Sequence, residues 1–118
     1  MKETYDTFFK KAYDAFNARN IEEVFSFMHP DVHWANGWEG GYVNGYDEVR
    51  DYWTRQWKEL DPYVYPVSVK EREDGKVEVL VHQVVKDIKG NLLFDGMVKH
   101  IYVIENNLIK SMDIEKQE

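Results

Sequence analysis

Cysteine is missing from this chain altogether, and proline occurs only 3 times in 118 residues. The first absence excludes disulfides and thiolate chemistry and leaves the compartment open, because a reducing cytoplasm tolerates either choice. Long apolar runs are also lacking. No stretch approaches the roughly 18 apolar residues of a membrane-spanning helix, and the opening MKETYDTFF has no apolar core of the signal-peptide kind. Positive charge is scarce: 15 Lys and Arg face 22 Asp and Glu, a net charge of −7, and no local Lys/Arg cluster offsets it. Such a chain repels phosphate backbones and anionic lipid, so nucleic acid and membrane surfaces are excluded as partners, and a cytoplasmic location is expected. Aromatic residues, by contrast, make up 15% of the sequence. They supply both core area and the walls of ligand sites.

A chain of this length, 43% hydrophobic, suffices for one domain with one core, taken here as residues 1–118. Tyr5, Phe8, Phe9, Ala12, Tyr13 and Phe16 recur at steps of three and four, which predicts an amphipathic helix over about residues 3–18. Asn20 is placed to cap a second helix whose stripe is Ile21, Val24, Phe25 and Met28, and Pro30 ends it. A brief strand follows over 31–36, then a glycine-rich loop to Gly45. Val49, Tyr52, Trp53, Gln56, Trp57 and Leu60 mark a third helix, stopped by Pro62. From there to residue 115 the pattern has period two, broken at Glu73–Lys76, Lys89–Asn91 and Glu105–Asn107, which predicts a meander of four strands. The fold class is α+β: a cone-shaped, curved antiparallel sheet with three helices covering the concave face.

Alternate strand residues share a face, so Leu80, His82, Val84 and Lys86 go together, as do Asp95, Met97, Lys99 and Ile101. If this parity faces inward, its polar groups line a pocket, since burying them without partners costs about 2–7 kcal/mol each. The opposite parity then points outward, with Val79, Val81, Val85, Val98, Val103 and Ile109. So much apolar area calls for cover, and a homodimer through the outer sheet face is the expected solution.

The order of elements resembles the nuclear transport factor 2-like superfamily, which includes steroid isomerases and polyketide cyclases. The resemblance is carried by Tyr13, by Phe16-Asn17-Ala18-Arg19-Asn20-Ile21, by His29-Pro30-Asp31-Val32, by Gly45, and by His100-Ile101-Tyr102 with Leu108-Ile109-Lys110-Ser111-Met112. It implies a cone-shaped barrel with an apolar cavity, usually dimeric. The tyrosine, catalytic carboxylate and protonated aspartate of the steroid isomerases fall on Ala12, Asn36 and Lys99, so that mechanism is rejected. The same registration puts His82, Asp95 and Met112 on the cavity side.

His82 and Asp95 are therefore the candidate catalytic residues, with His82 as general acid or base because an imidazole titrates near neutrality. Phe16, Trp34, Asn36, Trp38, Tyr52, Trp53, Trp57, Lys99 and Met112 are the candidate ligand-binding residues. His82 buried in a hydrogen-bonded core, with Lys99 extended to solvent, is the alternative. His29 and His33 are held apart by Pro30 and make no metal site, and His100 reads as structural, on the outer face. The expected function is binding of a small apolar or aromatic molecule, with cofactor-free proton transfer in an isomerase, cyclase or hydrolase. A non-catalytic ligand-binding or dimerisation module is the alternative.

Overall fold

The computed structural model describes residues 5–116. Its elements run α1 (Tyr5–Asn17), α2 (Ile21–Phe25), β1 (Met28–Ala35), β2 (Tyr42–Asn44), α3 (Gly45–Glu59), β3 (Leu60–Glu71), β4 (Val77–Asp87), β5 (Leu92–Glu105) and β6 (Leu108–Lys116). Residues 3 and 4 of the expected first helix lie outside the described residues. All three helices and the four-strand meander are present, but α2 is shorter than expected: it ends at Phe25, Met28 and Pro30 belong to β1, which starts three residues before the expected strand, and Leu60 opens β3 instead of closing α3. The short strand β2 is additional; it pairs with β1 through His33–Asn44 and Ala35–Tyr42. Three residues are too few for a period-two signal to register.

One six-stranded sheet results, in the order β2-β1-β6-β5-β4-β3. Every neighbouring pair is antiparallel except β1 with β6, which run parallel. The turn glycines Gly75 and Gly90 have φ of +89° and +93°, and the β5–β6 turn uses Asn106 and Asn107 at +54° and +65°. Positive φ at both central residues gives the twist that two antiparallel strands need, and asparagine tolerates it better than most residues. No helix of the described residues is long and apolar enough to cross a membrane.

The core lies between the helices and one sheet face. α1 gives it Phe9, Ala12 and Tyr13, and α3 gives Val49, Tyr52 and Trp53. The sheet gives Val77, Val79 and Val81 from β4, with Val98, His100 and Tyr102 from β5. These residues pair directly across the two strands, Val77 with Tyr102, Val79 with His100 and Val81 with Val98. Asn17 fixes the end of α1 to β3 by donating to the Val64 carbonyl at 2.8 Å and accepting from the Val64 amide at 3.0 Å.

The faces of β4 and β5 are thus the reverse of the sequence expectation, whereas β6 buries Met112, as expected, together with Ile109. His82, Asp95 and Lys99 lie on the outward face, and Val79, Val81, Val98 and Ile109 lie in the core. The physical reason is the comparison between two parities of the same strands. Turning Val77, Val79 and Val81 inward removes a continuous apolar strip from water, whereas turning the other parity inward buries Glu78, Lys86, Asp95 and Lys99. The exposed valine face that called for a dimer does not exist.

Candidate functional site

Inside the core, three polar side chains converge. Tyr13 Oη from α1 lies 2.8 Å from His100 Nδ1 and 2.7 Å from Tyr102 Oη, both on β5. Tyr102 Oη and His100 Nδ1 are 3.5 Å apart. Tyr13 belongs to the buried helical stripe, and His100 and Tyr102 are two apart on a strand, so helix and strand periodicity together bring the three to one point. All three are buried. Around them stand apolar side chains: Val79 and Val77 of β4 pair with His100 and Tyr102, Phe9 lies 4.5 Å from Tyr102 by ring centroids, and Trp34 6.2 Å.

Burial sets the protonation of each group. Desolvation alone pulls the His100 imidazole down to about 4, so it is neutral at pH 7. Desolvation, reinforced by the neighbouring Tyr102, raises the Tyr13 phenol well above its ordinary range. Tyr102 is likewise raised by burial, its bond with Tyr13 opposing the shift. The cluster therefore holds neutral hydrogen-bonding groups only. Two proton orders fit the same heavy-atom distances. In one, Tyr102 donates to Tyr13 and Tyr13 donates to an unprotonated His100 Nδ1. In the other, His100 Nδ1–H donates to Tyr13, Tyr13 donates to Tyr102, and the Tyr102 hydroxyl proton is left to point elsewhere.

Trp53 on α3 connects this cluster to the rest of the interior. It is edge-on to Trp34 at 5.6 Å and to Phe16 at 5.2 Å, and stacks near Trp57 at 5.9 Å. Trp53 and Trp57 are four apart, one turn along the same helix face. At the far end the Arg19 guanidinium covers the rings of Trp57 and Tyr63 at 5.1 and 4.8 Å and donates to Asp61 at 2.6 Å. Trp57 Nε1 is buried with no hydrogen-bond acceptor among the described residues. A buried donor left unpaired costs about 1–3 kcal/mol.

A second polar group closes the loop between β1 and β2. Asn36 Oδ1 accepts from the amides of Trp38 and Glu39 at 3.1 and 2.7 Å, and its Nδ2 donates to Glu39 Oε1 at 2.9 Å. Glu39 also pairs with Arg55 of α3. Below that turn, Tyr52 is pushed up to about 12, mainly by burial. Gln56 Nε2 reaches its oxygen at 3.4 Å.

The expected ligand-binding set is divided by this geometry. Phe16, Trp34, Tyr52, Trp53, Trp57 and Met112 gather in or against the core, where they pack on one another and on aliphatic side chains. Trp38 packs at its margin, and Asn36, though buried, is committed to the turn. Lys99 stands outside, between Glu78 at 3.7 Å and Glu115 at 4.0 Å. His82 and Asp95 hold each other at 2.6 Å on the same outer face, with side chains 42% and 51% exposed. They are brought together, but away from the aromatic interior. His100 is the reverse case, placed outside by parity and found inside. Its signal was present: on the parity Val98, His100, Tyr102 it is the one imidazole in the most apolar face of the sheet.

The residues 9–111 match the family model of the SnoaL-like domain. The chain belongs to the SnoaL-like domain family. A search of the curated proteins finds no match. Solved structures agree on the fold. A nuclear transport factor 2-like protein of unknown function from Burkholderia pseudomallei is 21% identical with a TM-score of 0.77, covering 91% of this chain and 86% of that one. TerC co-crystallised with polyporic acid is 22% identical with a TM-score of 0.78, over 91% and 86%. A Mycobacterium tuberculosis protein in complex with estradiol-17β-hemisuccinate is 12% identical with a TM-score of 0.75, over 91% and 88%. The SnoaL-like architecture accounts for the α+β arrangement, an open six-stranded sheet with helices against one face.

Proposed function

We propose that this SnoaL-like domain binds a small, flat, largely apolar molecule between α1, α3 and the inner sheet face, with Tyr13, His100 and Tyr102 as the polar end of the site. The observation that carries this reading is the convergence of two phenols and a neutral imidazole within 3.5 Å in an interior otherwise made of aromatic rings and aliphatic side chains. Such a cluster recognises one hydroxyl or carbonyl oxygen, and the surrounding rings take the apolar body. The small molecules crystallised with TerC and with the Mycobacterium tuberculosis protein support the class of ligand. In the structure the rings pack against one another, so entry requires Trp53 or Trp34 to move aside.

If the bound molecule is converted, the electrostatics favour one role over another. An imidazole held near 4 is a weak base at pH 7, whereas a phenol that keeps its proton is a lasting hydrogen-bond donor. The cluster thus suits stabilisation of a developing oxyanion by Tyr102, whose hydroxyl proton is free in the second proton order, better than proton abstraction by His100. His82 and Asp95 have no part in this reading. A second copy as partner belongs to it only through the outer face, where Tyr65 lies beside His82 at 6.2 Å between ring centroids. Sedimentation of the purified protein decides that point: a monomer at micromolar concentration removes it.

Titration calorimetry with 2-naphthol, which is flat and carries one hydroxyl, tests the site. Saturable binding is expected, weakened about five- to ten-fold in Tyr13→Phe, the worth of one hydrogen bond. No binding to the unaltered protein, or equal binding by the variant, overturns it.

A further inference from the structure

The interior has a second polar point that the Tyr13 cluster does not use. Trp57 Nε1–H is buried without an acceptor among the described residues, and buried donors in folded proteins are almost always paired. It lies at the other end of the aromatic chain from Tyr102, reached through Trp34 and Trp53 in ring steps of 6.2, 5.6 and 5.9 Å. We infer that Trp57 Nε1–H is the second anchor of the bound molecule and donates to a neutral carbonyl oxygen, a ketone or ester, on the ligand. The inference rests on the interior site proposed above and names the chemistry of the ligand's other end.

Charge selects a carbonyl over a carboxylate. The Arg19 guanidinium, 5.1 Å above the Trp57 ring, gives this end a positive potential that attracts the negative end of a carbonyl dipole. Asp61 already holds that guanidinium at 2.6 Å, so a second carboxylate would meet an occupied partner and a like charge. An alcohol gains less, because its hydroxyl proton would face a donor and a cation. Arg19 is positioned for this by a left-handed backbone turn, φ +63°, which ends α1 and swings the side chain across Phe16, Trp57 and Tyr63.

The test uses two probes of one shape, 2-acetylnaphthalene and 2-ethylnaphthalene, which differ by the carbonyl oxygen. Both are titrated into the unaltered protein, Trp57→Phe and Tyr13→Phe. The ketone is expected to bind the unaltered protein about five- to ten-fold more tightly than the hydrocarbon, with the preference lost in Trp57→Phe and kept in Tyr13→Phe. A preference lost in Tyr13→Phe and kept in Trp57→Phe overturns the second anchor and leaves the interior site standing. Failure of both probes to bind the unaltered protein overturns the interior site and the anchor with it. A measurement on the unaltered protein guards against misfolding of the variant: the indole N–H resonance assigned to Trp57 moves downfield with the ketone and not with the hydrocarbon. Absence of that shift in a protein that binds the ketone overturns the anchor.

Discussion

Tyr13 Oη and His100 Nδ1 stand 2.8 Å apart although 87 residues separate them in the chain. The contact ties the middle of the first helix to the middle of β5, across the core that encloses the proposed site. Because Tyr13 also meets Tyr102 at 2.7 Å, its hydroxyl is shared by two buried groups. Tyr13→Phe leaves both without that partner and is expected to cost about 1–3 kcal/mol in urea unfolding. Tyr102→Phe added to it costs less than on its own, because the bond between them is already gone. Fully additive losses would mean that the two hydroxyls act separately.

The buried imidazole also predicts a pH dependence. Its folded value of about 4 lies below the 6.5 of an exposed histidine, so the unfolded chain binds a proton before the folded chain does. Stability from this group is complete above about pH 6.5 and is lost as pH falls from there toward 4, by roughly 3 kcal/mol at most. Urea midpoints measured between pH 7 and pH 4.5 should fall for the natural protein and fall less for His100→Phe. Equal slopes in the two would show that His100 is open to solvent.

Much of the architecture is legible in residue spacing, and the site is not. Phe9, Ala12 and Tyr13, or Val49, Tyr52 and Trp53, can be read as buried faces because the helical period leaves a single apolar stripe. A strand offers two faces, and in β4 and β5 both carry apolar residues. The parity of His82 is marked by a few polar side chains, whereas the sheet follows the larger apolar area of Val77, Val79, Val81 and Val98. A one-residue difference reverses every side chain of a strand. The same one-residue step separates Ala12 and Lys99, where the steroid isomerase pair was sought, from Tyr13 and His100, which face each other. The Arg19 cover and the Asn36 turn depend on loop conformation, about which periodicity says nothing.

The outward placement of His82 makes a clear expectation. His82→Gln removes an exposed pair with Asp95 and leaves the interior untouched, so ligand affinity is unchanged and stability moves by less than about 1 kcal/mol. Calorimetry with 2-naphthol and urea unfolding on the same variant check both. A loss of binding would restore the outer face as the site.

Asn36 occupies the place where the resemblance seeks a carboxylate, and the loop explains why one does not fit. Its Nδ2 donates to Glu39 Oε1 at 2.9 Å, while its Oδ1 accepts from two amides. In Asn36→Asp the donating nitrogen becomes an oxygen facing the carboxylate of Glu39. The bond is lost and two negative charges meet at the same distance, with Arg55 shared between them. The variant is therefore less stable than the natural protein at pH 7, and the deficit shrinks on acidification, because one proton shared by the two carboxyls restores a hydrogen bond. Glu39→Gln added to Asn36→Asp returns a donor to the pair and should recover most of the lost stability at pH 7. Thermal unfolding of the natural protein, the single and the double variant at pH 7 and pH 4 decides it. A single variant as stable as the natural protein at pH 7 would mean that the loop opens freely and that Asn36 is not committed to the turn.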